Sequence, residues 1–339
     1  MKKKKLLVYP YSRSTEPFIK YHDLIKDYEI QALVSPKGWG IAGDTVDTLD
    51  GAFAVTDKFE EELKRCDVVW FVEDGTCTLS QTILDQRMDE AKRAGREMLF
   101  FQKERTLKYQ IDAPYLNRML GNEVPVISVI GNFRDTNKME VQLGLRYEFM
   151  KRGYRVSSIF SSSGGELAGG YSFPDFMEDP ELSAAQKTVR YNQLVKLISV
   201  EENPDVIIIG VPGGVIPYSD ELHNDFGIYA FEISNAVASD FTILCSLYSP
   251  NLSWALESEK EIIERKFSWE IGAVHVAPYI WDRDDDIGNN NGGMTIEVDD
   301  AFLYKKLPDL DQGEIWNLRK YHNIQRLADK IMEELGGGD

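Results

Sequence analysis

Short apolar runs alternate with amphipathic stretches along the first third of the chain, a pattern that predicts βαβ units and a parallel sheet. Residues 80–94 carry apolar side chains at helical spacing and are followed by Gly95, which can end a helix. This third of the chain therefore reads as one α/β domain. Its predicted strands are 6–9, 30–35, 53–56, 68–72 and 98–101.

A second α/β pattern begins after residues 120–123, where the notable residues are Gly121, Asn122 and Glu123. Residues 124–130 are almost entirely apolar, which is typical of a strand buried on both faces. The chain of 339 residues also exceeds the size at which single hydrophobic cores usually stop growing. We therefore predict two domains, 1–121 and 122–339, the second with a mostly parallel sheet. Its further predicted strands are 155–160, 205–210, 241–247 and 273–277.

The first domain is predicted to be Rossmann-like, but its chemistry is only partly readable. Its first strand-to-helix junction, residues 9–14, lacks the GxGxxG motif, so NAD or FAD binding has no motif support. Lys37 and Trp39 follow a predicted strand, where α/β domains place ligands. They are candidate contacts for a second ligand. The alternative for Trp39 is an aromatic ring packed at the domain interface.

Charge and composition exclude several classes of function. The chain has 38 Lys and Arg against 56 Asp and Glu, a net charge of −18, which disfavours a nucleic-acid or anionic-membrane partner. Hydrophobic residues make up 43%, enough to build real cores. No apolar run reaches the roughly 18 residues of a membrane span. Three cysteines without CxxC spacing favour a cytoplasmic protein, without disulfides or a zinc site.

The most informative segment lies between the apolar strand 124–130 and a predicted helix with Met139, Leu143, Tyr147 and Met150 on one face. A strand, a loop and a helix in this order form a phosphate cradle when backbone N–H groups and a lysine point at the anion. The candidate nucleotide- or phosphate-binding residues are Gly131, Asn132, Phe133, Arg134, Asp135, Thr136, Asn137, Lys138 and Met139.

The loop does not match the usual GxxxxGK[ST] pattern. It is one residue longer, and Asn137 and Met139 replace the second glycine and the hydroxyl residue. Structural alternatives that involve no ligand remain open: Lys138 as a solvated surface charge, Asp135 as a helix cap, and Gly213 with Gly214 as a tight turn. No catalytic residue or metal ligand is assigned.

The spacing of Gly131, Asp135 and Lys138 resembles the longer loop of dethiobiotin-synthetase-like P-loop proteins. The likeness extends to a small-residue loop at 160–166 and to a Gly-Gly turn after an apolar strand at 204–217. A related bacterial family, with a Rossmann-like first domain and some members linked to N-acyl transfer onto amino acids, is similar too. The resemblance implies further phosphate-site residues: Ser162, Ser163, Gly164, Gly213 and Gly214, with Glu166 as a possible second-ligand contact.

Over its whole length the chain resembles a bacterial family of peptide-maturation-system proteins, encoded beside radical-SAM enzymes that modify ribosomally made peptides. The similar segments include 8–13, 34–40 and 227–237. The resemblance implies a precursor peptide and a radical-SAM enzyme as partners, but no reaction. Because proteins with this loop arrangement often pair, we also expect a homodimer, with the apolar segment 231–237 at its interface.

Two departures from the synthetase-like pattern weaken the case that this chain catalyses metal-assisted phosphoryl transfer. Met139 and Gly210 occupy the positions at which that family binds Mg²⁺ through a hydroxyl and a carboxylate. A thioether is a poor ligand for this hard cation, and glycine offers no ligand. We thus expect ATP, another nucleotide or acyl-CoA as the ligand, with Mg²⁺ doubtful.

The resulting hypothesis is an accessory component of peptide maturation that binds a nucleotide or another phosphorylated ligand through a degenerate P-loop. An enzyme, either an ATP-dependent ligase or a CoA-dependent acyltransferase acting on a peptide or amino acid, is one alternative. A non-catalytic peptide-binding scaffold with a relic P-loop is the other.

Overall fold

The computed structural model describes residues 2–72, 79–100, 118–217, 225–282 and 294–336. The chain divides into two compact units, Met1–Arg105 with Ser163–Gly170, and Thr106–Ser162 with Tyr171–Asp339. This division differs in two places from the predicted domains 1–121 and 122–339. Residues 118–121 belong to the second unit, where the N–H and C=O of Leu120 bond the side chain of Asn192 at 2.7 and 2.9 Å. Residues 163–170 belong to the first.

The first unit contains a six-stranded sheet of order β3-β4-β2-β1-β5-β6, parallel except for the β3–β4 pair. The central strands are apolar because helices cover them, which confirms the predicted α/β class. The strands are β1 Lys4–Tyr9, β2 Tyr28–Val34, β3 Thr45–Asp47, β4 Ala52–Thr56, β5 Val68–Phe71 and β6 Glu97–Leu99, and the helices are α1 Glu16–Lys20, α2 Phe59–Leu63 and α3 Gln81–Arg93.

Residues 163–170 join the first unit for a steric reason. Gly164 has a φ of +91°, a conformation that favours glycine, and a Cβ there would lie 3.3 Å from Phe18 and 3.8 Å from Trp70. The rings of Phe18 and Trp70 themselves meet edge to face at 5.5 Å. Residues 163–170 therefore pack against side chains of their own unit.

The second unit is built on a fully parallel six-stranded sheet of order β14-β11-β10-β7-β9-β8. Every residue of β7, β9 and β10 is buried, as their apolar sequences predict. The strands are β7 Val126–Gly131, β8 Val156–Ile159, β9 Val206–Gly210, β10 Phe241–Leu247, β11 Ile271–Ala277, β12 Tyr279–Asp282, β13 Met294–Glu297 and β14 Ile315–Trp316. The helices are α4 Lys138–Lys151, α5 Ala184–Glu202, α6 Ile228–Ala236, α7 Leu252–Phe267, α8 Asp300–Lys306 and α9 Tyr321–Gly336.

Helices cover both faces of this sheet. Side chains of α5, α6, α7 and α8 form one core with it, and those of α4 and α9 form the other. On α4 the residues in that core are Val141, Leu145 and Phe149, whereas the sequence pattern predicted a face of Met139, Leu143, Tyr147 and Met150. Leu143 of the predicted face is also fully buried and Met150 packs against the same core, because α4 lies between the sheet and α9 and is buried nearly all round.

The sequence analysis did not predict the short strands. Strand β3 has three residues, β14 has two, and β12 pairs with β13 in a separate antiparallel hairpin. Segments this short lack a readable period.

In the segment predicted for a dimer interface, Ile233, Ala236 and Val237 are buried in the core, while Phe231 is 49% exposed. None of the helices in the described residues has the length and apolarity that a bilayer crossing needs.

Candidate functional site

The loop between β7 and α4 surrounds a buried lysine. Lys138 is the first residue of α4 and only 5% exposed. Its Nζ donates to the carbonyl oxygens of Arg134 at 2.7 Å, Phe133 at 2.8 Å and Gly213 at 3.1 Å. Lys138 is therefore not a solvated surface charge. Its ammonium lies inside the loop that the sequence assigned to phosphate binding.

The loop curls tightly over Gly131. A Cβ at Gly131 would lie 2.4 Å from Thr136 Oγ1, 2.6 Å from the Phe133 carbonyl and 2.7 Å from Lys138 Nζ. Asn137 precedes the helix in the left-handed conformation, with a φ of +58°, and its side chain makes no capping bond. Since Asn137 is the residue at the cap position, Asp135 is not the helix cap.

Burial is the main influence on the charge of Lys138. It lowers the pKa of the Lys138 ammonium to about 8, against the opposing effects of Cys245 and Asp135. The same burial raises the pKa of the Cys245 thiol to about 12, so Cys245 stays protonated beside the lysine. Lys138 is thus a cation that titrates just above neutral pH.

Asn132 joins the start of the loop to the neighbouring strand and to α7. It is 2% exposed, and its backbone N–H donates to the carbonyl of Cys245 at 3.0 Å. Its Nδ2 donates to Ser246 Oγ at 2.7 Å and to both carboxylate oxygens of Glu259 at 3.2 Å, while its Oδ1 accepts from Leu247 N–H at 3.2 Å. Burial raises the pKa of Glu259 to about 7, although the Asn132 amide opposes this.

The position of the expected metal-binding carboxylate is filled by another side chain. A Cβ at Gly210 would lie 2.0 Å from Oε1 of Gln142, which is fully buried. Gln142 Nε2 donates to Ser161 Oγ at 2.9 Å, and Gln142 Oε1 accepts from Ser161 N–H at 3.1 Å. The amide of Gln142 on α4 thereby holds Ser161, which belongs to the small-residue loop 160–166.

The residues present do not fit the Mg²⁺ site of the synthetase-like pattern. Position 139 offers a thioether, and Gln142 fills the space into which a carboxylate at 210 would project. Among the described residues, no group of three or more His, Cys, Asp or Glu side chains is placed to hold a metal ion.

The Gly-Gly turn is tied to the loop. Gly213 has a φ of +70°, as a tight turn requires, and its carbonyl accepts from Lys138 Nζ. The N–H of Val215 donates to the Gly131 carbonyl at 2.9 Å. Gly213 therefore combines the turn geometry with a direct contact to the lysine.

The other predicted site residues are not all brought together. Arg134, Asp135 and Ser162 are exposed, Gly214 is buried, and Met139 is half-buried, all in the second unit. Five predicted residues lie in the first unit: Ser163, Gly164, Glu166, Lys37 and Trp39. Of these, Lys37 and Ser163 are exposed.

Two functional candidates were missed by the sequence analysis. Gln142 and Glu259 lie within helices, and neither belongs to a motif. Their importance depends on contacts with Ser161 and Asn132, which are 19 and 127 residues away along the chain. A single sequence carries no signal for such pairs.

Comparison with known proteins identifies the fold. No family model and no curated protein sequence matches the chain. A DUF1611 family protein from Anabaena variabilis has a similar structure, with a TM-score of 0.62 and 10% identity over 98% of this chain and 100% of the other. At this identity, the match shows a shared two-unit fold.

Two looser matches cover part of the chain. Cobyrinic acid a,c-diamide synthase from Mycobacterium smegmatis, solved with an ATP analogue and magnesium, has a TM-score of 0.38 and 11% identity over 64% of this chain and 97% of the other. A nucleotide-binding protein from Archaeoglobus fulgidus, solved with ADP, has a TM-score of 0.31 and 12% identity over 60% of this chain and 88% of the other. Superpositions this loose carry no functional argument.

Proposed function

We propose that the second unit binds the phosphate group of a nucleotide, or of another phosphorylated ligand, within residues 131–138. One observation carries the proposal: Lys138 is buried at the first turn of α4, and its ammonium is held at the centre of the loop. The first N–H groups of a helix lack intrahelical acceptors and attract anions. A lysine beside them supplies the charge that a phosphate needs.

The contacts of Lys138 suggest how the ligand is taken up. An ammonium has three donors, and three carbonyl oxygens lie within 3.1 Å of it. A phosphate oxygen would replace one of these carbonyls as acceptor. Gly213 has the longest of the three bonds, and it belongs to a separate turn, so we expect this bond to be exchanged first.

We expect ligand binding at this site not to depend on a metal ion, unlike binding by an ordinary ATPase. Calorimetry should be run with ATP, GTP and acetyl-CoA, each with Mg²⁺ and with EDTA. We expect at least one ligand to bind with a Kd below about 1 mM, and its affinity to change less than about threefold when EDTA replaces Mg²⁺. Absence of binding by all three ligands would contradict the proposal. A strict need for Mg²⁺ would instead favour the ligase.

We further propose a role in peptide maturation, supported by the whole-chain resemblance described above and by the net charge of −18, which suits a cationic peptide. The candidate partners are the precursor peptide and the radical-SAM enzyme encoded beside such proteins. Pull-down and calorimetry with both, in the presence of the phosphorylated ligand, should detect at least one complex. Failure to bind either partner would remove this role and leave the phosphate site unaffected.

A further inference from the structure

The contacts that Asn132 makes with Leu247 and Glu259 fix the orientation of its side chain. The N–H of Leu247 requires an acceptor, so it fixes the position of Oδ1. An ionised Glu259 carboxylate accepts hydrogen bonds and donates none, so it fixes the position of Nδ2. Together with the bond from its backbone N–H to Cys245, these contacts hold Asn132 against the end of β10.

Asn132 is also the residue from which the loop departs. Gly131 ends β7, and the curl that brings the Phe133 carbonyl to Lys138 begins at the next residue. A rotation of Asn132 would shift the Phe133 carbonyl and, through it, the ammonium.

We propose that Glu259 is a positioning residue for the phosphate site: its ionised carboxylate holds the Asn132 amide and so fixes the first turn of the loop for ligand binding. This inference rests on the proposed function of residues 131–138. Of the described residues, only Asn132 acts on the pKa of Glu259 besides burial. Protonation of Glu259 therefore affects the loop through this one contact.

The test compares Glu259→Gln with the wild type by calorimetry, using the ligand that binds. We expect Glu259→Gln to weaken binding about tenfold at pH 8, where the wild-type carboxylate is ionised, and to have little effect at pH 6. In an Asn132→Ala background the same substitution should have no effect. Glu257→Gln, an exposed position on the same helix, is the matched control and should bind like the wild type.

At pH 8, Glu259→Gln should raise the thermal stability of the protein while it lowers the affinity for the ligand. A carboxyl whose pKa is raised by folding contributes stability at low pH, and that contribution is lost as the pH rises through about 7. Glu259→Gln removes the buried charge, so its Tm should exceed that of the wild type at pH 8. A purely structural role would instead lower affinity and Tm together.

The outcomes separate this inference from the proposed function. Equal affinities of wild type and Glu259→Gln at pH 8, with binding lost in a Lys138→Met variant, would overturn the role of Glu259 alone. If the wild type binds none of the three ligands, a pH titration of the NMR signal of the Leu247 amide tests the coupling between Glu259 and Asn132. A titration between pH 6 and 8 that disappears in Glu259→Gln supports the coupling to Asn132, and an unchanged signal overturns it.

Discussion

Replacing Lys138 with methionine is expected to weaken binding of the phosphorylated ligand by about 100-fold or more, because the charge-assisted bond to phosphate is lost while the apolar stem remains. Lys138 supplies the ammonium at the centre of the loop, and its Nζ donates to two carbonyls of the loop and to the carbonyl of Gly213 in the separate turn. Calorimetry of the two proteins measures the difference. Lys151→Met, at the exposed end of the same helix, is the control and should bind normally.

The wild type should also show a characteristic pH dependence. Because burial lowers the pKa of Lys138 to about 8, the ammonium that binds phosphate is increasingly lost above that pH. As far as Lys138 is concerned, affinity should be nearly constant below pH 7, fall about twofold between pH 7 and 8, and then fall towards tenfold for each further pH unit. Lys138→Met should lack this fall. A wild-type affinity that stays constant up to pH 9.5 would contradict the assignment.

Raising the pH through the pKa of Lys138 should increase the stability of the fold while it decreases the affinity for the ligand. Between about pH 8 and the ordinary lysine pKa of 10.5, the unfolded chain binds a proton that the folded chain has released. Stability therefore rises with pH in this window, since it rises wherever the unfolded state binds more protons. A loss of ligand affinity above pH 8 is thus not a sign of unfolding, and a thermal melt at each pH distinguishes the two.

The second large effect concerns Gly131. Gly131→Ala should destabilise the protein by about 2–3 kcal/mol, because the new Cβ would overlap Thr136 Oγ1, the Phe133 carbonyl and Lys138 Nζ. Two of these three atoms are needed for the carbonyl contacts of the lysine, so ligand binding should fall as well. Urea denaturation monitored by circular dichroism measures the change in the free energy of unfolding.

Gly121→Ala is the matched control for this substitution. Gly121 lies in the same unit, has open space around the position of a Cβ and does not adopt a positive φ. Its replacement should change the free energy of unfolding by less than about 0.5 kcal/mol. If Gly131→Ala is as harmless as this control, the loop does not have the tight curl described above.

The strands and the order of loop and helix could be predicted from the sequence because apolar runs such as 206–210 leave few alternatives to a buried strand. Lys138 could be singled out from its place after Gly131 and an apolar strand. The contacts that organise the site could not. Gln142 lies on a helix buried nearly all round, where helical period does not separate a core residue from a site residue.

The division of the candidate residues between the two units was also beyond the sequence. Ser162 and Ser163 are neighbours in the chain but fall in different units. The left-handed conformation of Gly164 and its approach to Phe18 account for this, and both depend on side chains about 145 positions earlier. A glycine in a serine-rich loop is equally compatible with flexibility and with close packing.

The amide of Gln142 has a consequence for how the protein could acquire magnesium chemistry. A carboxylate at position 210 requires the side chain of Gln142 to move, since its amide occupies the space into which the carboxylate would project. Shortening residue 142 makes that space but removes both bonds to Ser161. A change towards a metal-dependent enzyme therefore concerns position 142 as well as position 210, and it disturbs the loop that Gln142 holds through Ser161.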